Sequence, residues 1–390
     1  MPSLTRVMIL YCGQGMTTLV EIYDDGVVKD SADYLALIDC GGTSDGGQLA
    51  VDYVAKKILD KKDAVLNLLV ISHQDADHVQ LLSKLEDKLS GTKATLAQAV
   101  LGGSNWSNTN IGTVESFVEL MEMDTDELEF DAPKRSDYKK ATKRSELKYI
   151  DKHGDTYFRV LISGLAITGT GRTADIVRNA SSAMVVVENG SYSVFLPGDA
   201  THQTMDAATD VIDAKRNLIP RVVGLEIPHH GALRTAVEDY YARGEPDDFN
   251  WRRIKGFAEA LSADWVVASA GPKNSHRHPV REVLNVFDDW LITIDKHGYN
   301  AYVFDRNGGT TSKGWTNYET TNAKSCTIQE YNLDTGVYQY GDIEIRLTKP
   351  GILAPKEMVR FIPRARSGAL GLEEDLVVFA PAPPQPAPAT

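Results

Sequence analysis

The run Leu68-Leu69-Val70-Ile71-Ser72-His73-Gln74-Asp75-Ala76-Asp77-His78 decides how this chain is read. Residues 64–71 form an apolar stretch of strand length, and Val79, Leu81, Leu82, Leu85 and Leu89 follow at helical spacing. Four ligand-type side chains, His73, Asp75, Asp77 and His78, thus fall on a strand-to-helix loop whose backbone can curl around an ion. In extended chain His73 and Asp75 face one side, whereas Asp77 and His78 diverge as the helix begins, which suits two cations rather than one. Imidazole with carboxylate matches Zn, Mn or Fe, and the share of oxygen ligands favours a harder ion such as Mn.

Working outward, residues 6–11, 17–23 and 34–39 read as strands, separated by the turns Gly13-Gln14-Gly15 and Asp24-Asp25-Gly26. They predict an antiparallel meander. Residues 48–61 carry Leu49, Val51, Val54, Ala55, Ile58 and Leu59 at helical spacing. From about 103 to 155 the pattern weakens, and residues 134–152 hold eight Lys/Arg against three acids, an inserted charged segment and a candidate lid. Strand signals resume at 157–162, 183–187 and 192–196, followed by a helix near 202–214 and a strand at 222–227. A helix at 251–260, a strand at 265–269, a helix at 280–290 and strands near 292–294 and 300–304 come next. Strands then helices, twice over, predict an α/β (α+β) chain folded as a four-layer αββα sandwich. Residues 327–347 read as a further hairpin, and 380–390 as a flexible Pro/Ala-rich tail.

Composition removes several classes of function. The 390 residues are 42% hydrophobic, enough for a sizeable core, and no apolar stretch approaches the roughly 20 residues that span a bilayer. Residues 1–10 read as a first strand rather than a secretion signal. The three cysteines, Cys12, Cys40 and Cys326, form no CxxC pair, so a cytoplasmic protein without a disulfide framework is expected. A formal net charge of −13 argues against indiscriminate nucleic-acid binding and leaves room for a locally basic groove. No Gly-x-Ser-x-Gly nucleophile elbow occurs, and Gly169-Thr170-Gly171-Arg172 lacks the Lys-Ser/Thr of a phosphate-binding loop.

Further motifs lie at strand ends in a fixed order: Tyr11-Cys12-Gly13-Gln14-Gly15, Leu37-Ile38-Asp39-Cys40-Gly41, Asn179-Ala180-Ser181-Ser182, Leu196-Pro197-Gly198-Asp199-Ala200, Ile227-Pro228-His229-His230-Gly231 and Asn274-Ser275-His276-Arg277-His278-Pro279. With the run from His73 to His78 they resemble the metallo-β-lactamase superfamily, Asp75 standing where most members carry a second His. Within it the set is similar to the hydrolase domain of bacterial DNA-uptake channel proteins, the ComEC type, and its stand-alone relatives. The resemblance covers about residues 6–305, and the membrane channel of those proteins is absent here. Met16 departs from the acidic residue that usually follows Gly-Gln-Gly.

The resemblance implies a metallo-β-lactamase-fold hydrolase domain over residues 1–310, a C-terminal β extension over 311–350, and an extended segment with the tail over 351–390. It implies that His73 and Asp75 bind a first divalent ion and that Asp77, His78 and His229 bind a second, with Asp199 bridging the two and Mn or Zn as the metal. Many members supply one more His to the first ion. This chain offers only His153 in that interval, so water or Asn179 would complete the first site. Asp77, His230 and His278 are the candidate catalytic groups, with His276 and His278 placed to donate a proton or touch a phosphate. His153, His202 and His297 are expected to be structural or exposed. The activity implied is a phosphodiesterase or nuclease acting on DNA, RNA or a nucleotide. The alternatives are hydrolysis of small esters, lactones or β-lactams, and a non-catalytic regulatory or binding module with a degenerate site.

Overall fold

Three strands of alternating and continuous apolar residues open the chain: β1 (Leu4–Ile9), β2 (Thr17–Tyr23) and β3 (Tyr34–Cys40). They pair as the expected antiparallel meander, Val7 opposite Val20 and Leu19 opposite Leu37. The structure, a computed structural model, describes residues 3–104, 106–130, 135–167, 173–233, 248–271, 277–287, 299–305, 315–320, 324–331, 338–353 and 357–364. Helix α1 (Ser44–Asp60) buries Val51, Val54 and Ile58 and leads to β4 (Val65–Leu66) and β5 (Leu68–Ile71). Next come β6 (Thr95–Leu96), β7 (Ala99–Leu101) and β8 (Glu129–Phe130). β5, β7 and β8 extend the sheet in parallel beyond β3, while β4 and β6 pair apart.

The helix expected at 79–89 is split into α2 (Ala76–Val79) and α3 (Leu82–Leu89), the latter burying Leu82, Leu85 and Leu89. Residues 103–155, expected as one insertion, divide in two. Their first part holds α4 (Asn108–Leu120), capped by the Ser107 hydroxyl accepting from Asn110 N, and Val114, Phe117 and Val118 pack into the first core layer. Most of the described basic second part is held away from the ligand-type loop. Tyr138 and Arg144 bond to Glu188, Arg144 donates to the Gly190 carbonyl, and Lys215 donates to Ala141 O. Glu188 and Gly190 lie at the opposite end of their strands from Leu196 and Asp199, so Arg144 to Lys152 are fastened away from the ligand-type loop, whereas Arg135 O accepts from Ser163 N, next to Gly164, whose N–H bonds to Ser181 O. The second part's apolar residues decide this: Tyr138, Ala141 and Leu147 are buried in the second core layer.

A second sheet contains β9 (Asp151–His153), β10 (Thr156–Ile162), β11 (Met184–Asn189), β12 (Tyr192–Leu196), β13 (Arg221–Glu226) and β14 (Trp265–Ala268). A hairpin of β15 (Tyr299–Phe304) and β16 (Trp315–Thr320) stands apart, and β17 (Lys324–Cys326) joins the second sheet beside β14. The expected C-terminal hairpin is β18 (Ile328–Tyr331) with β19 (Tyr338–Leu347). It enters the first sheet, with β19 pairing β1 on one side and β20 (Val359–Pro363) on the other. Ile343, Ile345 and Leu347 alternate into the core between the sheets, while Glu344 on the opposite face is buried against Arg6 and Arg360.

Helices α5 (Ala174–Ala180), α6 (His202–Ala214), α7 (Asp248–Leu261) and α8 (Arg281–Val286) complete the described elements. Three buried clusters fix the layering. One lies between α1, α3, α4 and the first sheet, one between the two sheets, and one between the second sheet and α6, α7 and α8. This is the four-layer αββα sandwich. No helix among the described residues is long and apolar enough to cross a membrane. The expected strand at 292–294 lies outside the described residues.

Candidate metal centre

Loops at the C-terminal ends of β3, β5, β12 and β13 converge on one spot. Asp39, next to last in β3, has a positive φ of 55°, and its carboxylate accepts from Ser72 N (2.6 Å) and Ser72 Oγ (2.8 Å) just past β5. The same carboxylate lies 2.8 Å from His78 Nδ1. A carboxylate only accepts, so His78 carries its proton on Nδ1 and turns Nε2 inward, 3.1 Å from Asp199 Oδ1. Ser72 Oγ spends its proton on Asp39 and therefore accepts from His73 Nδ1 at 3.1 Å, which turns His73 Nε2 inward as well.

The turn after β13 orients two more rings. His229 (φ 50°, ψ 49°) and His230 (φ 55°, ψ 14°) are consecutive left-handed residues, followed by Gly231 at φ 77°. Such conformations cost on the order of 1–3 kcal/mol each for residues with a Cβ and persist where the surroundings enforce them. Here His229 N is fixed to Gly198 O (2.9 Å) and His230 Nδ1 donates to Ser269 O (2.8 Å). His229 Nδ1 donates to the Asn179 amide oxygen at 3.3 Å, and the Asn179 nitrogen donates to Asp75 Oδ2 and Asp175 O, both at 3.1 Å. Gly198 is required beside them: a Cβ there would lie 2.4 Å from Ser182 Oγ and 2.7 Å from Ser72 Oγ.

All four imidazoles thus commit Nδ1 to a supporting group and direct Nε2 at the Asp199 carboxylate. Asp199 Oδ2 faces His229 at 3.3 Å and His73 at 3.7 Å, and Oδ1 faces His78 at 3.1 Å and His230 at 3.9 Å. Asp77 Oδ2 stands 3.4 Å from His230 Nε2, and Asp75 Oδ2 stands 3.7 Å from His73 Nε2. Ligands held tetrahedrally at 2.0–2.1 Å from a cation are about 3.3 Å apart, the scale of these separations. His73 Nε2 and His230 Nε2 are fully buried yet have no hydrogen-bond partner, which is costly unless something binds them. Two compact sets of ligand atoms result, His73 with His78 and Asp199, and Asp77 with His78 and His230. These residues fit divalent cations.

Electrostatics agree. Burial works against the His78 charge, but Asp199 and Asp39 outweigh it and hold the imidazole well above its usual value. Burial opposes the Asp199 charge too, yet His229, His78 and His73 hold its carboxyl well below the usual range. Asp77 is lowered by His230 and His78 against its own burial. Burial pulls His229 down, and Asp199 only partly offsets it. Below the rings, burial pushes the Glu226 carboxyl up to about 8.

His230, rather than His229, stands beside Asp77, because the double left-handed turn sends the two rings to opposite sides of Asp199. His229 occupies the side of His73, where the sequence offered no further histidine. Asp75 has only one oxygen turned to His73, since Arg178 Nε bonds to its other oxygen at 2.6 Å. Asn179 positions Asp75 and His229. His278 is buried, its ring 5.7 Å from that of His229 and 5.5 Å from that of His230. His276 and His297 lie outside the described residues. His153 pairs with Asp24 at 2.9 Å, away from the centre, and His202 is buried at the start of α6. Sequence reasoning missed Asp39 and Ser182 as supports although both lie in quoted motifs, and nothing in the sequence signalled Arg178.

No family model matches the chain, and no curated protein matches it. Among solved structures it is similar to the metallo-β-lactamase-fold protein YhfI from Bacillus subtilis, at 12% identity over 82% of this chain and 100% of that one, TM-score 0.39. A diphosphatase of the PhnP family is matched at 12% identity over 88% and 99%, TM-score 0.39, and a long-form RNase Z from yeast at 12% over 71% and 38%, TM-score 0.36. At this level of likeness the layering and the centre stand on the chain's own geometry.

Proposed function

We propose that this chain is a metal-dependent hydrolase of the metallo-β-lactamase fold with a two-cation centre shared through Asp199. The observation that carries this reading is the convergence of four Nε2 atoms within 3.9 Å of one buried carboxylate, each ring with its Nδ1 already committed. His73, His229 and Asp199 Oδ2, flanked by Asp75, would hold one cation, and His78, His230, Asp77 and Asp199 Oδ1 the other. Four imidazoles beside the carboxylates suit Zn as well as Mn. When bound, such a pair activates water near neutral pH and neutralises charge on a phosphoryl or carbonyl oxygen. The protein's own part is to hold Nε2 of each ring toward the centre through Asp39, Ser72, Asn179 and Ser269. His278, its ring within 5.7 Å of two of those rings, would hold a proton near a leaving oxygen. His229 beside His73 supports this reading over a degenerate, non-catalytic module.

The substrate class we infer is a phosphodiester, on the ComEC-type motif set. Because the basic residues from Arg144 to Lys152 are fastened at the far end of the second sheet, a nucleotide-scale phosphodiester or a strand end suits the centre better than a long duplex. Arg178 at the rim supplies a guanidinium for a phosphate oxygen. Incubation with Mn, Mg or Zn and single- and double-stranded DNA, RNA, dinucleotides and cyclic nucleotides tests this. Cleavage of at least one of them is expected, and no cleavage under any cation contradicts the reading.

A further inference from the structure

The centre opens to solvent on one side. The side chains of His73, His78, His230 and Asp199 are 0–3% exposed, whereas those of Asp77, Asp75 and His229 are 32%, 20% and 19% exposed and line the mouth. Arg178, in the last turn of α5 and 28% exposed, stands in that mouth. Its Nε donates to Asp75 Oδ1 and its Nη2 to Asp175 Oδ1, both at 2.6 Å. These two nitrogens form one edge of the guanidinium, which can grip both oxygens of a single anion. Here the edge is split between two carboxylates, and each receives one bond. The Asp75 carboxylate stands between that edge and the centre, its Oδ2 3.7 Å from His73 Nε2. The Asn179 nitrogen donates to the same Oδ2 at 3.1 Å, so Asp75 stays turned to His73 whichever group holds its other oxygen.

We infer that Arg178 couples substrate binding to cation binding: it leaves Asp75 for the phosphate of an arriving phosphodiester, and the carboxylate it releases strengthens the hold on the cation beside His73. The inference rests on the phosphodiester reading above. Without substrate, the guanidinium and a cation compete for the one negative charge of Asp75. A phosphodiester anion in the mouth offers two non-bridging oxygens to the same guanidinium edge, so two charge-assisted bonds to one anion replace the single bond to Asp75. Nη2 carries two N–H groups, and one of them keeps Asp175 while the other, with Nε, turns to the phosphate. Asp175 thus acts as the pivot. Binding effects are reciprocal, so phosphate tightens the His73-side cation and that cation tightens phosphate. The centre is then held most completely when a substrate is present.

The test measures the Kd of each cation by competitive Zn titration of full-length wild type and Arg178→Gln, with and without saturating dimethyl phosphate, a phosphodiester anion that lacks a good leaving group. Without it, the variant is expected to hold the His73-side cation about 2–5-fold more tightly than wild type, the scale of a partly exposed ion pair. With it, that gap is expected to close, because Arg178 of the wild type has then left Asp75. The Kd of the His78-side cation is the internal check on folding and is expected to match in the two proteins under each condition. A gap of the same size with and without dimethyl phosphate overturns the inference, since Arg178 then stays on Asp75. The absence of a gap in both conditions overturns it as well, and so does a variant that loses the His78-side cation, which makes Arg178 a structural residue. Cleavage of bis(4-nitrophenyl) phosphate by the wild type separates these failures from failure of the phosphodiester reading. With cleavage that reading stands while the coupling falls, and without cleavage both fall.

Discussion

On one side of Asp199, no lysine or arginine among the described residues pairs with Asp77, whose carboxylate meets the buried His230 and lies next to His78. On the other side Asp75 divides its carboxylate among His73, Asn179 and Arg178, and His229 is partly exposed. Both sides use imidazole and carboxylate, so they differ in what competes for the ligands rather than in ligand type. A resident guanidinium 2.6 Å from Asp75 Oδ1 occupies the charge that a cation would otherwise claim. The His78 side is therefore expected to bind its cation more tightly, and the His73 side to exchange it.

The most severe way to break this asymmetry removes the group common to both sides. Asp199→Ala is expected to lose both cations and about 10³-fold or more of activity, several kcal/mol of charge stabilisation, while circular dichroism shows a folded chain. Next in size is a pH effect confined to the buried side. Glu226 titrates near 8 when folded and near 4.5 when unfolded, so the native state holds an extra proton between these values. The stability this contributes is present at low pH and is lost as pH rises through about 8. Denaturant melts of metal-free protein should show Glu226→Gln flattening that loss by a few kcal/mol, and an unaltered slope would contradict it. Asp39→Asn is expected to weaken the His78 side about 10–100-fold in competitive metal titrations and the His73 side less, since Asp39 bonds to His78 directly and reaches His73 only through Ser72. The smallest change sharpens the comparison from the opposite direction. Arg178→Gln should tighten the His73 side by about 2–5-fold, the scale of a partly exposed ion pair, and narrow the gap between the two affinities.

What the sequence made legible follows the range of the interactions. The loop from His73 to His78 was readable because an apolar strand ending in ligand-type residues is a local pattern, and the meander of β1 to β3 was readable from its glycine turns. Helix α4 was not, since Thr109, Asn110, Gly112 and Thr113 dilute its apolar spacing, and its stability comes from packing on α3 and the first sheet. The destination of β19 was hidden for a similar reason. Its alternation predicts a strand, but pairing with β1, more than 300 residues away, depends on partners such as Arg6 for Glu344. The two histidines of the β13 turn show the limit most clearly. Their identity was plain, but which ring faces which side of Asp199 depends on two positive φ angles that no local preference announces. The basic run misled because its charge is conspicuous, whereas Tyr138, Ala141 and Leu147, buried within it, decide where it lies.

The most direct measurement is the metal content per chain, by elemental analysis after gel filtration in excess Zn or Mn, of wild type, His229→Ala and His230→Ala. A centre shared through Asp199, with one ring on each side, predicts two cations in the wild type and one in each variant, the His229 variant keeping the tighter one. A wild type holding fewer than two, or variants that both retain two, would contradict it.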